Sequence, residues 1–344
     1  MSKALEAPPF AVIPGTDVHR VLTGREGAVT ALVEAAYLAH DAGATVNPPS
    51  YFLRFPDRPG ARIIALPAAV SGESAVDGVK WISSFPANVA HGLPRASAVL
   101  ILNDPVTGYP FACLESSIIS ATRTAASAAL AADRLTRDRP RPRRVGFVGA
   151  GLIARYVHTY LAGTGLRFDR LGVHDLSRSS ADGFAGHLRD LVGDTPVEVH
   201  ERVEDLIRAS DLIVFATVAG TPHVHDPDLF AHAPVVLHLS LRDLAPDVLL
   251  NAVNIVDDVE HCLKADTSPH LVEQRTGSRD FLAGTLADVM TGRVRLPADR
   301  PVVFSPFGLG VLDLVLGRYV HDELARSGGL TEVDGFFHDL SRHG

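Results

Sequence analysis

Residues 145–154, Val-Gly-Phe-Val-Gly-Ala-Gly-Leu-Ile-Ala, constrain the fold more than any other part of the chain. A short apolar run turns through two glycines into Ile153, Tyr156, Val157, Tyr160 and Leu161, which recur at helical spacing. A second apolar run, Arg170–His174, ends in Asp175. Strand, glycine turn, helix, strand and then an acid about 20 residues beyond the turn is the full setting of a dinucleotide-binding unit. Gly149 permits the tight turn, Gly151 lets the main chain approach a diphosphate, and Ala154 keeps helix and strand close. Ala150, Leu152 and Ile153 open the helix, where unpaired N–H groups and the helix dipole favour negative charge. A carboxylate at Asp175 accepts hydrogen bonds from ribose hydroxyls and repels a 2′-phosphate, so NAD is expected over NADP, although Arg178 stands close behind.

The pattern after this motif continues as α/β. Val197–Val199, residues 212–217, residues 235–241 and Val253–Val256 read as buried strands, with a helical pattern over Val203–Arg208. Strands alternating with helices predict a parallel, doubly wound sheet. Thr217 and Ser240 stand at the ends of two of these strands, and strand carboxyl ends line the ligand crevice of such sheets.

Residues 137–144, RDRPRPRR, mark the clearest boundary, because Pro140 and Pro142 break helix and the arginines keep the segment in water. A solvated linker is favoured there over a phosphate patch. Before it, residues 27–40 and 115–135 read as helices, and 63–66 and 99–102 as strands. Helical patterning returns over 311–324. With 344 residues the chain is long enough for two domains. A Rossmann domain is expected over 136–305, and an α+β substrate and dimerisation domain over 1–135 with 306–344.

A formal net charge of −8 argues against a nucleic-acid partner. The opening MSKALEAPPF has no long apolar core, and apolar runs such as 212–219 are far short of the ~20 residues of a membrane span. Cys113 and Cys262 show no CxxC spacing, which fits reduced thiols in a cytoplasmic protein. His223 and His225 have no third ligand at a recognisable spacing, so no metal is expected.

A second set of motifs runs through 78–132. It comprises Lys80-Trp81, Phe85-Pro86-Ala87-Asn88, Gly92-Leu93-Pro94-Arg95, Leu102-Asn103-Asp104-Pro105-Val106-Thr107-Gly108 and Arg123-Thr124-Ala125-Ala126. Together with VGFVGAGLIA, these elements resemble the ornithine cyclodeaminase/μ-crystallin family over most of the chain. KWISSFPAN (80–88), RASAVLIL (95–102), GYPFACLESS (108–117), HLSLRD (238–243), DDVEHCLK (257–264) and FSPFGLG (304–310) are similar to one branch. Its members are the N-(2-amino-2-carboxyethyl)-L-glutamate dehydrogenases of 2,3-diaminopropionate biosynthesis, in siderophore or peptide-antibiotic pathways.

The resemblance implies NAD-dependent oxidative cleavage at a CH–NH bond, in a homodimer formed through the non-Rossmann domain. It implies that Lys80 contacts the substrate near the reacting carbon and that Arg123 reaches a substrate carboxylate and the cofactor. Ornithine cyclodeaminases carry a G-x-D-x-P-G-K-x-E-L segment whose aspartate gives or takes a proton. The corresponding stretch here is 238–244, with no aspartate in that register. The branch's substrate is an amino-acid conjugate with three carboxylates, for which Arg54, Lys80, Arg95 and Arg123 supply cations and Tyr51 a hydroxyl. Lys80 is the candidate base for activating water and His238 the second candidate. Rival readings are an ornithine cyclodeaminase, a ketimine or alanine dehydrogenase, or a non-catalytic NAD(P)-dependent small-molecule binder.

Overall fold

The computed structural model describes residues 8–72 and 75–337, which gather into two compact units. One unit joins the chain up to Arg123 with the chain from Leu309 onward, and the other runs from Thr124 to Gly308. The division falls inside the helix Ser117–Thr136 rather than in the 137–144 segment. Nothing in the Ala-rich stretch breaks helix before Pro140, so the helix runs straight through the division.

The first unit is built on seven strands: β1 (Ala11–Ile13), β2 (Thr45–Val46), β3 (Tyr51–Arg54), β4 (Arg62–Val70), β5 (Val76–Ser84), β6 (Ala96–Asn103) and β7 (Pro110–Glu115). They pair in the order β1-β7-β6-β5-β4-β2, with β3 also on β4, and every pair but β1–β7 is antiparallel. Leu66, Lys80, Leu100 and Leu114 stand opposite one another across four strands. The neighbouring row, Tyr51, Ala65, Trp81 and Val99, points to the other face. The helix Gly310–Ser327 covers the first face, and Gly317 lets it approach, since a Cβ there would stand 2.2 Å from Leu100 Cδ2. The second face keeps Tyr51, Trp81 and Val99 exposed. β5 was not legible as a strand, because a lysine occupies one of its inward positions.

Eight parallel strands form the second unit: β8 (Arg144–Val148), β9 (Arg170–His174), β10 (Val197–Val199), β11 (Leu212–Phe215), β12 (Val235–His238), β13 (Val253–Val256), β14 (Leu282–Thr285) and β15 (Val302–Ser305). Their order is β10-β9-β8-β11-β12-β15-β13-β14. This is the Rossmann-type α/β sheet, extended at one edge. β11, β12, β13 and β15 are buried throughout, as the unbroken apolar runs of a sheet covered on both faces require. Phe215, Ile213, Val236 and Val303 pack with Leu206 and Leu249 in one core, each contributing about 1.5–3 kcal/mol by burial. The strand expected over 235–241 stops at His238, because the chain turns through Leu241 (φ 75°) and brings Asp243 back toward the strand end.

The strand order reverses between β8 and β11, which opens the crevice at the carboxyl ends. Gly149 lies there with φ 96°, and a Cβ at that position would stand 2.6 Å from the Ala216 carbonyl oxygen. Gly149→Ala should therefore destabilise this unit by about 1–3 kcal/mol, read as an earlier midpoint in urea unfolding.

Candidate active site

The glycine turn and Asp175 are already joined. Asp175 Oδ2 accepts the Ala150 N–H at 2.9 Å, and Oδ1 accepts the Ser177 N–H at 2.8 Å. The carboxylate thus tethers the end of β9 to the loop that opens the helix Leu152–Gly163. That helix has Gly151 as its N-cap, with no side chain bonded to its first turn. A Cβ built on Gly151 meets nothing within 4 Å, so the space beside the turn is open to a ligand. Leu176 is 99% exposed and Val218 is 74% exposed, which places apolar surface in water at the ends of β9 and β11. Free helix N–H groups and an open glycine fit a dinucleotide, whose diphosphate the turn would hold and whose ribose Asp175 would meet. Arg178 is turned away, with Nε 3.0 Å from both carboxylate oxygens of Asp182.

At the same edge of the sheet, Asp243 gathers three of the expected site residues. Its side chain is fully buried and accepts from the Thr217 hydroxyl, from Ser240 Oγ at 2.5 Å and from His223 Nε2 at 3.0 Å. His238 Nε2 lies 3.3 Å from Oδ2 and 3.1 Å from the Asp243 main-chain nitrogen, while its Nδ1 pairs with Ser305 Oγ at 3.2 Å. Burial alone would raise the Asp243 pKa. The groups from His223, His238 and Ser240 outweigh it and hold the carboxyl well below the usual carboxylate range. His238 is fully buried with both ring nitrogens engaged, whereas the His223 side chain is 39% exposed. Beside this cluster, Asp257 ties two of the sequence motifs together. It accepts from the Phe307 and Gly308 N–H groups at 2.9 and 2.7 Å and from the Cys262 thiol at 3.1 Å.

In the first unit, Lys80 is 1% exposed. Its Nζ donates to Asp313 Oδ2 at 2.6 Å and to Ser120 Oγ at 3.3 Å. Arg123 Nε reaches the other oxygen of Asp313 at 3.4 Å. Desolvation lowers the Lys80 pKa, Asp313 opposes it, and Arg123 adds to the fall, leaving the ammonium at about 8. Burial wins over the ion pair, so the amine is within reach of its neutral form near physiological pH.

The structure brings Lys80 and Arg123 together on Asp313. Arg54 ends β3 in the inward register and is exposed, its guanidinium 5.0 Å from the Phe52 ring. Arg95 Nη1 donates to Ser84 Oγ at 2.7 Å, further along the Lys80 face of β5. Tyr51 is not brought to this group; it is 66% exposed, in the Trp81 row on the opposite face. Sequence reasoning missed Asp313 and Asp243. The signal for Asp313 was present, as a single acid within the apolar stretch Gly310-Val311-Leu312-Asp313-Leu314.

Residues 17–328 match the ornithine cyclodeaminase/mu-crystallin family. The chain belongs to that family. Among curated relatives, the N-((2S)-2-amino-2-carboxyethyl)-L-glutamate dehydrogenase of Staphylococcus aureus is 28% identical over 303 residues, 86% of this chain and 89% of that protein. The Delta(1)-pyrroline-2-carboxylate reductase of Thermococcus litoralis, solved with NADH and L-proline, has a TM-score of 0.86 at 22% identity, over 94% of this chain and all of that one. An archaeal alanine dehydrogenase dimer with bound NAD has a TM-score of 0.83 at 22% identity, over 95% and 99% of the two chains. These two structures establish the fold of this family member. Because Asp182 occupies Arg178, Asp182→Ala should strengthen NADP binding several-fold and leave NAD binding nearly unchanged, measured by fluorescence titration.

Proposed function

We propose that this family member is an NAD-dependent oxidoreductase acting on a CH–NH bond. Its substrate is N-(2-amino-2-carboxyethyl)-L-glutamate, which it converts with water and NAD to L-2,3-diaminopropionate, 2-oxoglutarate, NADH and a proton. The observation that carries this reading is the buried Lys80 amine, poised near pH 8 between Asp313 and Arg123. The likeness to the Staphylococcus aureus dehydrogenase, and the six sequence motifs in common with its branch, support the substrate.

NAD supplies the two-electron acceptor, and residues 149–153, Asp175, Thr217 and Ser240 belong to its side of the chemistry. Arg123, with Arg54 and Arg95, meets a substrate bearing three carboxylates, for which guanidinium forks are the matching donors. Neutral Lys80 takes the proton from the water that enters the product. Asp313 holds that amine in place and sets how readily it loses its proton. His238 serves as a positioning residue, holding Asp243 rather than the substrate. A cytoplasmic homodimer is the expected state, closed over the exposed Tyr51–Trp81–Val99 face of the first unit.

Incubating the protein with NAD and the conjugate should raise absorbance at 340 nm and yield both products. Proline and ammonia from ornithine would overturn the substrate assignment. Because the base must be neutral, kcat should climb as pH rises through about 8. Asp313→Asn removes the attraction that raises the Lys80 pKa, so the limb should move to lower pH. Lys80→Met should lose at least about a hundredfold in kcat, and full turnover in that variant would remove Lys80 from the mechanism. Trp81→Glu should halve the mass seen by analytical ultracentrifugation, since it places a charge in the middle of the exposed face.

A further inference from the structure

The arginines of residues 137–144 are not used by the chemistry above, yet they border a concavity. At the amino-terminal edge of the parallel sheet, opposite the glycine turn, the second unit has a cavity of about 690 Å³. Arg144 and Arg170 are the first residues of β8 and β9, and Val235 is the first of β12, so the strand starts form its floor. Five arginines line it (139, 141, 143, 144 and 170) against two acids, Asp169 and Asp211. The excess is positive in a chain whose net charge is −8.

Two of the arginines are neutralised locally. Arg143 pairs with Asp169, and Arg144 Nη2 lies 2.5 Å from Asp211 Oδ1. Those pairs latch the segment to the sheet. The other arginines are different. Arg139 Nη2 donates to the carbonyls of Ala233, Ala298 and Arg300 at 2.6, 3.1 and 2.9 Å, which fixes the guanidinium. Its Nη1 is buried and has no hydrogen-bond partner. Arg141 is exposed and has no acid partner among the described residues. Arg170 is held only loosely, 3.8 Å from the exposed Glu198.

The rest of the wall is mixed, with Pro140, Pro142, Pro234 and Ala298 beside the guanidinium groups and Thr136 and His232 also lining it. Cavities of roughly 300–1,000 Å³ hold ligands of nucleotide size, and a free phosphate would fill only a corner of this one. Guanidinium forks match phosphate oxygens, and flat proline surfaces suit a sugar or base. We propose that this cavity binds a nucleoside oligophosphate, with the phosphates on Arg141 and Arg170 and the nucleoside against the proline wall. It stands apart from the dinucleotide crevice, at the other end of the same strands.

The test is a calorimetric titration of the full chain with GTP, with and without saturating NAD. We expect one GTP per chain in both conditions, and binding weakened about tenfold or more in Arg141→Glu. The unfolding midpoint of that exposed-site variant should match the parent's, and Arg141→Gln should show a smaller loss. Failure of GTP to bind, its displacement by NAD, or equal binding by Arg141→Glu would overturn the proposal. So would inorganic pyrophosphate binding as tightly as GTP. None of these outcomes depends on the dehydrogenase reading, which stands or falls on turnover.

Discussion

A single buried carboxylate, Asp313, decides the character of the first unit. Lys80 occupies an inward position in a cross-strand row that is otherwise leucine, and an isolated ammonium there would cost several kcal/mol. The helix Gly310–Ser327, which closes this face, brings the compensating charge in its own first turn. Compensation is incomplete, because Arg123 competes for the same acid and desolvation exceeds the Coulomb gain. A fully stabilised ion pair would give an inert ammonium, and an unpaired lysine would not stay buried. The intermediate balance leaves a buried amine that gives up its proton more readily than an ordinary lysine.

The second unit solves the opposite problem. Asp243 is as buried as Asp313, but it collects donors from several directions, so its charge is held firmly rather than poised. Thr217 comes from the end of β11, His238 from the end of β12 and Ser240 from the turn beyond it. One carboxylate therefore pins together the loops that border the crevice of the parallel sheet. A group so far from its titration range transfers no proton near neutral pH; its work is to keep the neighbouring loops in register. The two acids therefore play different parts, Asp313 beside a lysine whose pKa burial lowers and Asp243 within a fixed scaffold.

Much of this was legible in the sequence because it is local. The glycine turn, the acid after the second strand and the continuous apolar runs are short-range patterns with one structural solution. The sites that escaped are non-local. Lys80 meets Asp313 across 233 positions of chain, and no periodicity reports such a pairing. The strand that carries Lys80 was hidden for the same reason, since a lysine at an inward position reads as a surface residue until its partner is known. Asp243 was overlooked because the segment was compared with a family motif in another register, while its function depends on a turn through Leu241 with positive φ. Tyr51 was attractive by chemistry alone, and strand parity placed it on the other face.

The two ends of the parallel sheet also differ physically. At the carboxyl ends the strands give way to helix N-termini and glycine, which offer N–H groups to an anion through the backbone. The amino ends have no such dipoles aimed outward, so any anion recognition there must come from side chains. In this chain that edge carries arginines from the 137–144 segment and from the first positions of β8 and β9. Local acids consume part of that charge, and the prolines hold the segment away from helix. Solubility alone would be served by arginines scattered over the surface. A concave cluster, with Arg139 fixed by three carbonyls and Arg141 and Arg170 left largely uncompensated, concentrates positive charge where an anion can meet it.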